Sequence, residues 1–133
     1  MNSINESPRP ANKHNKIVLV DDDRHVLELI AKFLGRLGYD VDQASSSSAA
    51  LDTIKALDHV DLLLTDVIIP GDLNGHQLAQ KTAQYQPDMK VLYMSGLMEN
   101  SVYENASMVP GVNMLRKPFR QSELAEMLDV LLH

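Results

Sequence analysis

The sequence predicts an α/β domain built on a five-stranded, doubly wound parallel sheet. Three observations carry that expectation. Short, almost continuous apolar runs recur at Ile17-Val-Leu-Val20, Leu62-Leu-Leu64 and Val91-Leu-Tyr-Met94, as in strands covered on both faces. Stretches with apolar residues at helical spacing alternate with them, which calls for right-handed crossovers and helices on both sides of the sheet. Polar residues end four of the five strands, and in a parallel sheet those ends share one edge, where open sheets hold their ligands.

Taken in order, residues 1 to about 15 carry Pro8, Pro10 and four Asn and read as a disordered tail, with the domain proper over 16–133. Lys16–Val20 is the first strand, running straight into Asp21-Asp22-Asp23. Val26, Leu27, Ile30, Leu34 and Leu37 line one face of a helix that Gly38 stops. Tyr39–Ala44 is a weaker strand. The run Ser45-Ser-Ser-Ser48 reads as a loop whose last serine caps the next helix, which carries Ala50, Leu51, Ile54 and Leu57. The central strand ends in Thr65-Asp66, and Pro70-Gly71 breaks regular structure. Asn74-Gly75 opens a third helix bearing Leu78, Ala79 and Thr82, and Gln86-Pro-Asp88 is a turn. Lys90–Met94 is the fourth strand, ending in Ser95-Gly96. Met98, Val102 and Ala106 suggest a short helix within 97–110, and Val112–Leu115 is the fifth strand. Arg116-Lys-Pro-Phe119 closes it, and Leu124, Met127, Leu128 and Leu131 mark an amphipathic last helix.

Composition narrows the function. The 133 residues fit one domain, with no internal repeat. A net charge of −6 and the lack of a Lys/Arg cluster argue against nucleic-acid binding by this chain alone. With no Cys, disulfides and thiolate chemistry are excluded. No apolar run reaches membrane-spanning length and the N-terminus lacks the regions of a signal peptide, so the expectation is a cytoplasmic protein without membrane partners. Neither dinucleotide nor phosphate-loop glycine spacing occurs. A flavin is disfavoured because the first strand runs into acids. His25, His59, His76 and His133 show no metal-ligand spacing and read, with His14, as surface residues.

The strand ends bring Asp21 and Asp22, Asp66, Ser95 and Lys117 to one edge. Each alone has a plain reading: turn former, helix-start charge or solvated lysine. Together they make a pocket. Three carboxylates repel unless a cation is bound, and oxygen-only donors suit Mg²⁺. A Lys and a Ser opposite the metal could hold phosphoryl oxygens, with Asp66 as nucleophile forming an acyl phosphate.

On these residues the chain resembles the receiver domain of bacterial two-component response regulators over roughly 16–132. The matching pieces are Ile17-Val-Leu-Val-Asp-Asp-Asp23, Asp61-Leu-Leu-Leu-Thr-Asp-Val67 with Pro70 and Gly75, Val91-Leu-Tyr-Met-Ser-Gly96, and Lys117-Pro-Phe119. The resemblance implies a flavodoxin-like sheet of order 2-1-3-4-5. It implies that Asp66 is the phosphoacceptor, that Asp22 with Asp21 holds Mg²⁺, and that a main-chain carbonyl near Ile68 completes the metal shell. Ser95 and Lys117 would contact the phosphoryl oxygens, and the Lys117-Pro118 bond would be cis. The implied partners are a histidine kinase or histidine phosphotransfer protein, and a downstream protein reading the face of the 97–110 helix, the fifth strand and the last helix.

Two departures stand out. The inward-swinging aromatic residue common on the last strand is Met114 here, so the usual switch between Ser95 and that position is in doubt. The loop Pro70-Gly-Asp-Leu-Asn-Gly75 is one residue longer than the commonest form, and Asp72 is expected to face solvent. Ile68 and Leu97 flank the pocket mouth without a group to orient water, which predicts slow loss of phosphate. The expected role is regulatory rather than that of a turnover enzyme. The alternatives are a Mg²⁺-dependent phosphohydrolase with Asp66 as nucleophile, disfavoured by Ile68 where an acid/base Asp is needed, and an unphosphorylated adaptor.

Overall fold

The computed structural model describes residues 15–96 and 113–133. Within them the order is β1 (Lys16–Val20), α1 (Arg24–Arg36), β2 (Asp40–Ala44), α2 (Ser47–Ala56), β3 (Leu62–Asp66), α3 (Gly75–Thr82), β4 (Lys90–Ser95), β5 (Met114–Arg116) and α4 (Gln121–Leu132). The five strands form one sheet in the order β2-β1-β3-β4-β5, with every neighbouring pair parallel. This is the flavodoxin-like order. The helix expected within 97–110, Val112 and Leu97 lie outside the described residues.

Strand alternation divides the core in two. Ile17, Leu19, Leu62, Leu64 and Leu92 face Leu27, Ile30 and Leu34 of α1 and Leu124 and Leu128 of α4. Val18, Val20 and Leu63 point the other way, onto Ala50 and Ile54 of α2 and Leu78 and Ala79 of α3. Leu62, Leu63 and Leu64 are all 0% exposed. A strand buried on both faces gains about 1.5–3 kcal/mol per large apolar side chain, which is why β3 reads as an unbroken leucine run.

Helix boundaries follow side-chain chemistry. Asp23 caps α1, accepting from the N–H groups of His25 and Val26 at 3.0 and 3.3 Å. Gly38, at φ +97°, turns the chain away after α1. Asn74 and Gln77 form a reciprocal capping box at α3, with bonds of 2.8 and 2.9 Å. The cap of α2 differs from expectation: Ser46, not Ser48, accepts from the Ala49 N–H at 3.2 Å. Helix α2 therefore begins at Ser47. The last strand is also displaced, running from Met114 to Arg116 rather than ending at Leu115.

Candidate functional site

The carboxyl edge of the sheet gathers the polar strand ends. Asp21 follows β1 and is 1% exposed. Its Oδ1 accepts from the Asp23 N–H at 2.9 Å, so the turn into α1 orients it. Asp22 faces solvent beside it. Asp66 ends β3, with the next N–H, that of Val67, bonded to the Met94 carbonyl at 2.9 Å. The start of α3 presses on the same backbone: the Gly75 N–H donates to the Val67 carbonyl at 2.7 Å. A side chain at Gly75 would collide with the Asp66 carbonyl, so only glycine permits this approach.

Lys117, after β5, reaches back across the edge. Its Nζ lies 2.7 Å from Asp66 Oδ1 and 3.0 Å from Asp21 Oδ2. The Lys117-Pro118 peptide bond is cis. Carboxylate oxygens of Asp21, Asp22 and Asp66 lie within 4.8 Å of one another, close enough for one cation. Burial pushes the Asp66 carboxyl up from 3.8 to about 7; Lys117 opposes the shift and Asp21 adds to it. For Lys117, burial works against its charge, but the hydrogen bonds and charge of Asp66 and Asp21 prevail and hold it above the ordinary lysine value. The two groups thus stabilise each other's charged form.

Ser95 ends β4 and is fully buried. Its hydroxyl donates to the Gly96 carbonyl at 3.3 Å, while its own carbonyl accepts from the Lys117 N–H at 2.7 Å. Ser95 is thereby tied to the main chain of Lys117. Ile68 lies two residues past Asp66 and is 57% exposed. Met114 is 2% exposed and pairs in register with Tyr93 of β4, which is 3% exposed. The buried ring of this layer therefore belongs to β4. Burial pushes the Tyr93 hydroxyl to about 12.

Two residues carry roles their types did not announce. His76, expected at the surface, is half-buried with its ring centroid 6.3 Å from that of Tyr93. Gln86, expected in a plain turn, is buried and bridges the Val60 N–H and the Leu57 carbonyl. His59 pairs with Asp61 at 2.7 Å at the opposite edge of the sheet.

Fold and site together define a class: open α/β domains with an acidic pocket countered by one lysine. The chain belongs to the response regulator receiver domain family, whose family model matches residues 17–129. It is accordingly a receiver domain of two-component signalling. It is 25% identical over 117 residues to the response regulator receiver protein CpdR of Brucella abortus, covering 88% of this chain and 96% of that protein. It is 29% identical over 117 residues to the sensor kinase CckA of the same organism, covering 87% of this chain but 12% of the kinase. The crystal structure of a response regulator receiver protein from Sinorhizobium medicae superposes with a TM-score of 0.78 at 28% identity, over 90% of this chain and 94% of that one. No described helix is long and apolar enough to cross a membrane.

Proposed function

We propose that Asp66 accepts a phosphoryl group from a histidine-phosphorylated partner, a histidine kinase or histidine phosphotransfer protein. The observation that carries this reading is the Lys117 ammonium held between Asp66 and Asp21 at 2.7 and 3.0 Å. In the transfer, a carboxylate oxygen of Asp66 bonds to phosphorus as the phosphorus–nitrogen bond to the partner's imidazole breaks; the bonding pair stays on the ring nitrogen, and with the other ring nitrogen protonated the products are an acyl phosphate and a neutral imidazole. Lys117 meets the charge on the phosphoryl oxygens, and the Ser95 hydroxyl is assigned to the same oxygens after turning from Gly96.

The donor set fits Mg²⁺: hard oxygens, two of the three carboxylates buried, and no nitrogen or sulfur ligand among the described residues. Asp21, Asp22, Asp66 and the Ile68 main-chain carbonyl are the proposed ligands. When bound, the ion supplies positive charge that offsets the phosphoryl oxygens. A free Asp66 near 7 is partly protonated at neutral pH, so a nearby cation also favours the ionised nucleophile.

An apolar groove of about 440 Å³ beside Lys117, lined by Val26, Leu29, Ile30, Pro118 and Phe119, supports docking of such a partner. The modified state shifts a conformational equilibrium read at the face of β5 and α4. The domain assists its own phosphorylation and dephosphorylation without acting on outside substrates. It occupies residues 16–133, while the tail expected over 1–15 falls, but for Asn15, outside the described residues; its setting is the cytoplasm.

The test is intact mass after incubation with a small-molecule phosphodonor, with and without Mg²⁺. A Mg²⁺-dependent gain of one phosphoryl group, absent in Asp66→Asn, is expected. Folded protein that binds Mg²⁺ without a mass gain would favour the adaptor, and steady release of phosphate over many turnovers would favour the phosphohydrolase.

A further inference from the structure

The loop between β3 and α3 is seated on the first turn of α2. Ser47, the first residue of that helix, is 2% exposed, although the next two residues, Ser48 and Ala49, face solvent. The first N–H groups of a helix lack partners within it. Here the Ser46 side chain takes that of Ala49, and the Pro70 carbonyl takes that of Ser47 at 3.4 Å. Gly71 lies against Ser47 with φ +115°, and a side chain there would collide with Ser47 Oγ. On either side of this contact, Ile69 and Leu73 pack into the cluster that holds Ala50 and Ile54 of α2. The loop is therefore pinned at Ile69, Pro70-Gly71 and Leu73. Ile68 sits between those pins and Asp66, its side chain turned to solvent.

We infer that Ser47 and Gly71 are positioning residues for the metal-binding loop: the seat of Pro70-Gly71 on α2 keeps the Ile68 carbonyl at the acidic pocket. The inference rests on the metal reading of that pocket given above. Mg²⁺ demands near-ideal octahedral geometry at about 2.0–2.1 Å, so a loop already fixed to a helix end loses less freedom on binding than a loose one. By reciprocity, an ion held by the loop tightens the Ser47–Pro70 contact. The start of α2 then senses whether the pocket is filled.

The experiment uses the full chain. Mg²⁺ affinity is read from a titration of backbone amide shifts, and exchange of the Ser47 amide is measured with and without the ion. Ser47→Leu and Gly71→Ala push the loop off from opposite sides. Each is expected to weaken Mg²⁺ binding by about tenfold, the low end of what a lost outer-shell support costs, and to speed Ser47 exchange in the metal-free protein. Ser48→Ala, at the exposed neighbour outside the contact, is expected to keep wild-type affinity. In the wild type, Mg²⁺ should slow exchange at Ser47. Fast Ser47 exchange in either bulky variant with wild-type Mg²⁺ affinity overturns the inference and leaves the metal reading standing. Failure of the wild type to bind Mg²⁺ removes the metal reading, and the inference with it. If Ser47→Leu does not fold, Gly71→Ala, in an exposed loop, decides alone.

Discussion

At the scale of single residues the balance of burial and charge on Asp66 governs behaviour. Its carboxyl is raised from 3.8 to about 7 in the folded protein. Between those values the folded state holds a proton that the unfolded chain has released, so stability is full below about 4 and falls as pH rises through about 7. Asp66→Asn has no such loss. In metal-free protein, thermal melts at pH 8 should show Asp66→Asn above wild type, with the gap closing toward pH 4; a pH-independent gap would contradict the burial argument. Ile68 makes a second prediction. Ile68, 57% exposed two residues past Asp66, offers no hydrogen-bonding group to a water attacking the proposed acyl phosphate. Phosphate release from purified phosphorylated protein should be slow, and Ile68→Asn should speed it. Loss as fast in the wild type as in the variant would refute this.

At the scale of elements, the four consecutive serines show what a linear pattern hides. All four are competent caps, and chemistry alone does not choose among them. The choice falls on Ser46 because β2 ends at Ala44 and the loop after Asp66 packs on Ser47. Ser46→Ala should cost about 1 kcal/mol in chemical denaturation, whereas Ser48→Ala, at an exposed position, should lie within about 0.5 kcal/mol of wild type. Equal losses would show that the cap is shared. The strands, by contrast, were legible because unbroken apolar runs such as Leu62-Leu-Leu64 have few other uses. The site was legible for a related reason: Asp21, Asp66, Ser95 and Lys117 are polar residues where strands end, and strand order brings ends together. What escaped the sequence depends on long-range contacts. Gln86 is buried only because it bridges two chain segments, and the glycine at 75 is required by a backbone arriving from β3. Met114 stands out in the sequence as a departure, but its pairing with the buried ring of Tyr93 depends on the β4–β5 register.

At the scale of the whole molecule the acidic pocket gathers three carboxylates, a repulsion that the proposed ion would relieve. Mg²⁺ at a hundred times its dissociation constant should stabilise the domain by about 2.7 kcal/mol. A rise in melting temperature with Mg²⁺, lost in Asp21→Asn and in Asp66→Asn, is the expected result; an equal rise in the variants would mean binding elsewhere. The pocket also joins distant parts of the chain, for Lys117 and Asp21 are 96 residues apart in sequence. Chains leave the ribosome N-terminus first. The carboxylates at 21, 22 and 66 therefore emerge well before the ammonium that offsets them, and β5 is the last of the described strands in chain order. A nascent chain that has not yet exposed Lys117 carries its acids uncompensated, so the charge balance of the pocket is set only after β5 has been made.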